Sequence, residues 1–157
     1  VTFRKSCRSM PEFYSLTDSD VPSIMPIEAL SFSDDHWSDK QITQQLLNPQ
    51  YLNVGVKEQG VLIGFALLGC VLDEAEIYQI TILPAFQGRG LATALLHQLC
   101  ERLNVSGVCR LLLDVRETNL PAIRLYESFG FVLDGRRKGY YVTSTGHEDA
   151  LLYSYAL

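Results

Sequence analysis

The sequence predicts a mixed α/β (α+β) fold, a mostly antiparallel central sheet of about seven strands with helices on both faces. Three observations carry this. Strand-like runs crowd together between residues 51 and 83 with only short turns between them, the pattern of an antiparallel meander. From Gly88 the apolar period lengthens, with Leu91, Leu95, Leu99 and Leu103 recurring every four residues on one helix face. A strand, a helix and a closing pair of strands then complete the chain.

Each element has its own local reason. "EFYSL" (12–16) reads as a short strand, and the capping residues that open "TDSDVPSIMPIEALSF" start a helix near Asp20. In "SDKQITQQLLN" Ser38 is placed as the N-cap, and Ile42, Leu46 and Leu47 share a face. "YLNVGVKE", a turn at Gly60, "VLIGFALLGCVL" and "AEIYQITIL" form the meander. "CRLLLDV" (109–115) is nearly all apolar, as in a sheet centre covered on both faces. In "NLPAIRLYESFG" Asn119 caps a helix, Pro121 lies in its first turn and Gly130 occupies the C-terminal stop position. "FVLDGRRKGYYV" and "EDALLYSYAL" read as a strand pair.

The 157 residues are enough for one domain with a core and not for two. A net charge of -5 argues against general nucleic-acid binding, which needs a basic face. No apolar run is long enough to span a membrane, and Arg4, Lys5 and Arg8 are not followed by the apolar stretch of a signal peptide. Cys7, Cys70, Cys100 and Cys109 show no CxxC spacing and read as buried free thiols of a reducing, cytoplasmic protein. His36, His97 and His147 are scattered without metal-ligand spacing, so no metal is expected.

"QGRGLA" (87–92) places two glycines and an arginine at a strand-to-helix junction. A helix N-terminus offers unpaired N–H groups and partial positive charge, which attract phosphate. Glycine removes the side chains that would block approach, and Arg89 adds a guanidinium beside the site. Read on its own, the stretch fits a pyrophosphate cradle and a plain glycine turn equally well. Other phosphate and nucleophile motifs fail: no GK[ST] is present, "GRGLAT" lacks the third glycine of a dinucleotide fingerprint, and GxSxG is absent.

"QGRGLA" resembles the Q/R-x-x-G-x-G/A signature of the GNAT acetyltransferases, which bind acetyl-coenzyme A. Downstream, "DVRETNLPAIRLYESFGF" (114–131) is similar to the N-x-x-A-x-x-L-Y-x-x-x-G-F segment of that family. Element order matches from Glu12 to the C-terminus. Within the superfamily, "LDEAEIYQITILP", "VRETNLPAIRLYESFGF" and "RRKGYYVTSTGHEDALLY" look most like the RimI-type enzymes, which acetylate the N-terminal alanine of a ribosomal protein. The family's usual start falls near Met10. Residues 1–9 are then expected to be a mobile extension and residues 10–157 a single acetyltransferase domain.

The resemblance implies roles for particular residues. Backbone groups of Ile80, Thr81 and Ile82 pair with the pantetheine arm of acetyl-CoA, and amides of Gln87, Gly88, Arg89, Gly90, Leu91 and Ala92 cradle its pyrophosphate. Asn119 matches the asparagine that contacts coenzyme A, beside its plain role as N-cap. Tyr126 matches the general acid that protonates the leaving thiolate; without the resemblance it reads as a core aromatic. The base is open between Glu76 and Asp114, since RimI-type enzymes usually carry glutamate where this chain has Asp114, and related enzymes use an acid on the strand of Glu76. Tyr140 and Tyr141 match a pair that holds peptide backbone, and Phe32 and Trp37 wall the peptide groove. The implied activity is acetyl transfer from acetyl-CoA to a protein N-terminus, with a ribosomal protein as partner and no nucleic acid or membrane. The implied assembly is a monomer or weak homodimer. Acetylation of a small-molecule amine, or a non-catalytic acetyl-CoA-binding module, are the competing readings.

Overall fold

The structure is a computed structural model that describes residues 10–32 and 34–157. The expected N-terminal extension, residues 1–9, lies outside the described residues. Seven strands form one sheet in the order β1-β2-β3-β4-β5-β7-β6. They are β1 (Glu12–Ser15), β2 (Leu52–Glu58), β3 (Val61–Val71), β4 (Glu74–Ile82), β5 (Arg110–Arg116), β6 (Val132–Thr143) and β7 (Gly146–Ala156). Every neighbouring pair is antiparallel except β4 and β5.

Four helices cover the sheet: α1 (Val21–Ser31), α2 (Asp39–Leu47), α3 (Leu91–Val105) and α4 (Leu120–Phe129). Strand β3 shows why both faces are covered. From Phe65 to Leu68 its side chains alternate between two apolar clusters, as successive strand residues do, and a register shift against β2 at Ile63 changes the phase before them. Leu62, Phe65 and Leu67 join Ile24, Ile27 and Ile42 beneath α1 and α2. Ile63, Ala66 and Leu68 join Leu95, Leu99, Tyr126 and Phe131 beneath α3 and α4.

The caps fall where the sequence places them. Ser38 Oγ accepts from the Gln41 amide at 3.2 Å, and Asn119 Oδ1 accepts from the Ala122 amide at 3.4 Å. Gly130 ends α4 at φ +119°, a conformation that L side chains rarely adopt. The first helix begins at Val21, after a 3-10 turn at Asp18–Asp20.

Two expectations are corrected. Strand β5 is central, but only Leu111, Leu113 and Val115 are buried; Leu112, Asp114 and Arg116 on its other face are half-exposed. That face fronts an open groove rather than a second layer. Of the described cysteines, Cys70 and Cys100 are half-buried and Cys109 is exposed, all three free. Apolar neighbours in sequence do not bury a residue at a strand end or on a helix flank.

One feature of the sheet creates the site. Strands β4 and β5 pair only from Glu74 to Ile77 against Arg110 to Leu113. At that level the β3–β4 register shifts, so Tyr78 is left over between Ile77 and Gln79. Such a bulge bends the strand that carries it. Beyond it β4 runs on to Ile82 and β5 to Arg116 without pairing, and the sheet opens like a wedge.

Candidate active site

Two cavities lie in this wedge. One, of about 400 Å³, runs between the end of β4, the start of α3 and the start of α4. The other, of about 550 Å³, opens on the opposite side toward the α1–α2 loop and the β6–β7 hairpin. Ile80, Asn119, Ala122 and Tyr126 line both, so the two spaces meet at Tyr126.

The smaller cavity contains the predicted cradle. Ile80, Thr81, Ile82, Gln87, Gly88, Gly90, Leu91, Ala92, Asn119 and Tyr126 all line it. Gly88 and Gly90 sit at φ +76° and +77°. A Cβ built on either meets no atom within 4 Å, so a side chain there would project into open space. Gly90 is the N-cap of α3 and has no side chain to cap it, which leaves the first amides of the helix without a side-chain acceptor. Gln87 folds back to donate to the Ile82 carbonyl at 2.8 Å and ties the loop to the strand end. These features fit a diphosphate.

The Arg89 side chain turns away from the cavity. Its guanidinium donates to both carboxylate oxygens of Glu58, at 3.0 and 2.7 Å, and it does not line the cavity. Sequence reading also missed Thr93, whose position in the first turn of α3 was available as a signal, and the apolar walls Phe86, Pro121 and Leu125.

The larger cavity collects Phe32, Trp37, Asp114, Tyr126 and Tyr141. Tyr126 is only 6% exposed, and burial pushes its phenol above the usual range. Asp114 is raised by burial and pulled back by Arg137. Glu76 lies in the paired part of β4, opposite Leu112, and does not line the cavity. It is raised by burial and by the charge of Asp114, with Arg137 opposing. The tyrosine pair divides, because adjacent strand residues face opposite ways. Tyr141 lines the cavity, is pushed up to about 12 by burial and by Asp114, and carries the Arg116 guanidinium 4.2 Å above its ring. Tyr140 is 51% exposed and does not line the cavity. Arg116 was missed by the sequence reading. It pairs with Asp35 of the α1–α2 loop and, at 3.3 Å, with Glu148 of β7, so it links the two walls of the groove.

Among the described residues no group of three or more histidine, cysteine or acidic side chains could hold a metal ion. Among the described residues no helix is long and apolar enough to cross a membrane.

Residues 13–131 match the sequence model of the Acetyltransferase (GNAT) family. The chain is 38% identical over 138 residues to the [ribosomal protein bS18]-alanine N-acetyltransferase of Escherichia coli K12, covering 88% of this chain and 92% of that one. It is 35% identical over 133 residues to a putative enzyme of the same description from Bacillus subtilis, covering 85% and 87%. The crystal structure of the E. coli ribosomal-protein-S18-alanine N-acetyltransferase superposes with a TM-score of 0.86 at 37% identity over 94% of each chain. Arabidopsis thaliana NAA60 in complex with acetyl-CoA shares the fold, with a TM-score of 0.83 at 20% identity over 94% of this chain and all of that one.

Proposed function

The chain belongs to the GNAT acetyltransferase family, and from that premise we propose that it acetylates the N-terminal amine of a ribosomal protein by direct attack on acetyl-CoA. The meeting of the two cavities at Tyr126 carries the reading. One space suits a long cofactor with a diphosphate, the other suits a peptide end, and the acetyl group passes where they join.

Acetyl-CoA supplies an activated thioester. The unpaired β4 edge around Ile80, Thr81 and Ile82 offers backbone groups to the pantetheine arm. Amides from Gln87 to Ala92 offer donors to the diphosphate, and Asn119 adds a polar contact while it caps α4. Phe32, Trp37 and Tyr141 hold the acceptor peptide; Tyr140 contributes at the rim through its packing on Tyr141, with ring centroids 5.1 Å apart. Asp114 is the base that takes the amine proton, directly or through water, and Glu76 is a second acid held close enough for Asp114 to raise it. A raised carboxylate is a better match for an amine near neutral pH than an ordinary one. Tyr126 keeps its proton at all physiological pH and donates toward sulfur as negative charge develops there.

Incubation with acetyl-CoA and short peptides of differing first residue, read by mass spectrometry, tests this. The expected result is one acetyl group on the N-terminal amine, with alanine-first peptides preferred. Acetylation of polyamines or amino acids with no peptide product would overturn it in favour of a small-amine enzyme. Binding of acetyl-CoA without transfer to any amine would favour a non-catalytic module.

A further inference from the structure

Glu28 is completely buried on α1, with 0% of its surface exposed. Its Oε1 accepts two hydrogen bonds, from the Trp37 amide at 2.7 Å and from Gln79 Nε2 at 2.7 Å. Its Oε2 has no partner, and neither does Gln79 Oε1. These are the two buried side-chain polar atoms left unsatisfied among the described residues, and they belong to two side chains already joined by one hydrogen bond. A single proton on Glu28 Oε2, donated to Gln79 Oε1, would satisfy both at once and close an eight-membered acid–amide ring. An ionised carboxylate there would leave both buried acceptors without a donor, at the full desolvation cost of each.

We propose that Glu28 is a neutral carboxylic acid in the folded enzyme, paired cyclically with Gln79, and that this pair positions the Trp37 loop against β4 for acceptor binding. Gln79 follows the Tyr78 bulge and lines the acceptor cavity, as do Trp37 and Tyr78, whose rings lie 6.0 Å apart. Glu28 therefore joins the wall of the groove to the strand at its bend. It touches neither substrate and is a positioning residue. Burial raises its carboxyl, in the same direction. The opposing charge that bears on it is His36 of the α1–α2 loop. Strand β3 carries no acid or base beyond Cys70; Asp39 and Lys40 of α2 are exposed; Asp20, before α1, is engaged by Thr17 and Tyr14; Glu76 of β4 is coupled to Asp114 and Arg137.

The effect on acceptor binding rests on the groove assigned above; the protonation does not, so the two are tested separately. Infrared difference spectra of the enzyme alone at pH 7 should show a protonated-carboxyl band that disappears in Glu28→Gln. Absence of that band overturns the neutral pair whatever the acceptor is. In steady state, Glu28→Ala should raise the acceptor-peptide KM at least tenfold with acetyl-CoA affinity unchanged, while Glu28→Gln, an uncharged mimic of the acid, should restore it. Should Glu28→Ala not fold, Glu28→Gln decides through pH. A raised carboxyl stabilises the fold at low pH and loses that contribution as pH rises through its folded value. Wild-type acceptor KM should therefore climb at high pH, and that of Glu28→Gln should not. Identical pH profiles for the two proteins, or an unchanged KM in a folded Glu28→Ala, would overturn the positioning role.

Discussion

Tyr126 borders both cavities, and no protein group binds its hydroxyl among the hydrogen bonds of the described residues, so the phenol is available for chemistry. Tyr126→Phe keeps the ring that packs edge-on against Phe131 at 5.6 Å. Turnover should fall by ~10²–10⁴, the usual size of a general-acid contribution, with the melting temperature nearly unchanged. A full-rate Tyr126→Phe would return this residue to the core. The base is separated by pH. Burial raises both Asp114 and Glu76, so the rate should rise with pH above the ordinary carboxylate range, through the pKa of whichever acid acts. Asp114→Asn should flatten that rise and Glu76→Gln should not. Asp114→Glu, which lengthens the acid by one methylene, should retain or raise activity. Wild-type profiles from both neutral variants would mean that neither acid is the base. Tyr126 and Asp114 could be named as candidates from the sequence, with Glu76, because they stand in or beside spaced motifs, and the first two line the larger cavity. The Glu28–Gln79 pair was not, since its partners are 51 residues apart and only the fold joins them.

At the scale of elements, the glycines of the loop before α3 leave open space over the helix start, while its arginine turns to Glu58. Gly90→Glu would place a side chain and a negative charge in the open cradle. Coenzyme A binding should weaken at least tenfold, about 1.4 kcal/mol. Isothermal calorimetry checks this, and unchanged affinity in a folded protein would remove the diphosphate site. Arg89→Ala should cost much less affinity, because the guanidinium is committed to Glu58 and reaches over the Phe86 ring at 5.7 Å. A comparable loss in Arg89→Ala would mean that the arginine leaves Glu58 when the cofactor arrives. Caps were readable because they are local: Ser38, Asn119 and Gly130 each act within a few residues of where they stand. The bulge at Tyr78 was not readable. It is a mismatch of register between two strands, and neither strand alone records it.

For the whole molecule, the strand count and the two covered faces follow from periodicity, whereas the wedge follows from pairing. Only four residue pairs join β4 to β5, and these hold the meander β1–β4 to the unit formed by β5, β7 and β6. Below that seam the halves are held by α3, which packs on β4 and β2 and touches α4, and by the Arg116–Asp35 ion pair. A ligand that fills the space between β4 and α4 therefore bridges two parts of one sheet, and it binds only when both are folded. Acetyl-CoA at a hundred times its dissociation constant should stabilise the native state by about 2.7 kcal/mol. For a domain of this length that corresponds to a rise in melting temperature of roughly 5–10 °C. An acceptor peptide alone, which would touch the open side, should shift it less at equal concentration. Gly90→Glu should abolish the rise from acetyl-CoA while leaving the melting temperature of the unliganded protein within several degrees, since the glycine's Cβ position meets no neighbour; the remaining cost is the positive φ, about 1–2 kcal/mol. A differential scanning trace in which acetyl-CoA binds tightly yet leaves the transition unmoved would require equal affinity for the unfolded chain. The wedge would then not be the place where the cofactor is held.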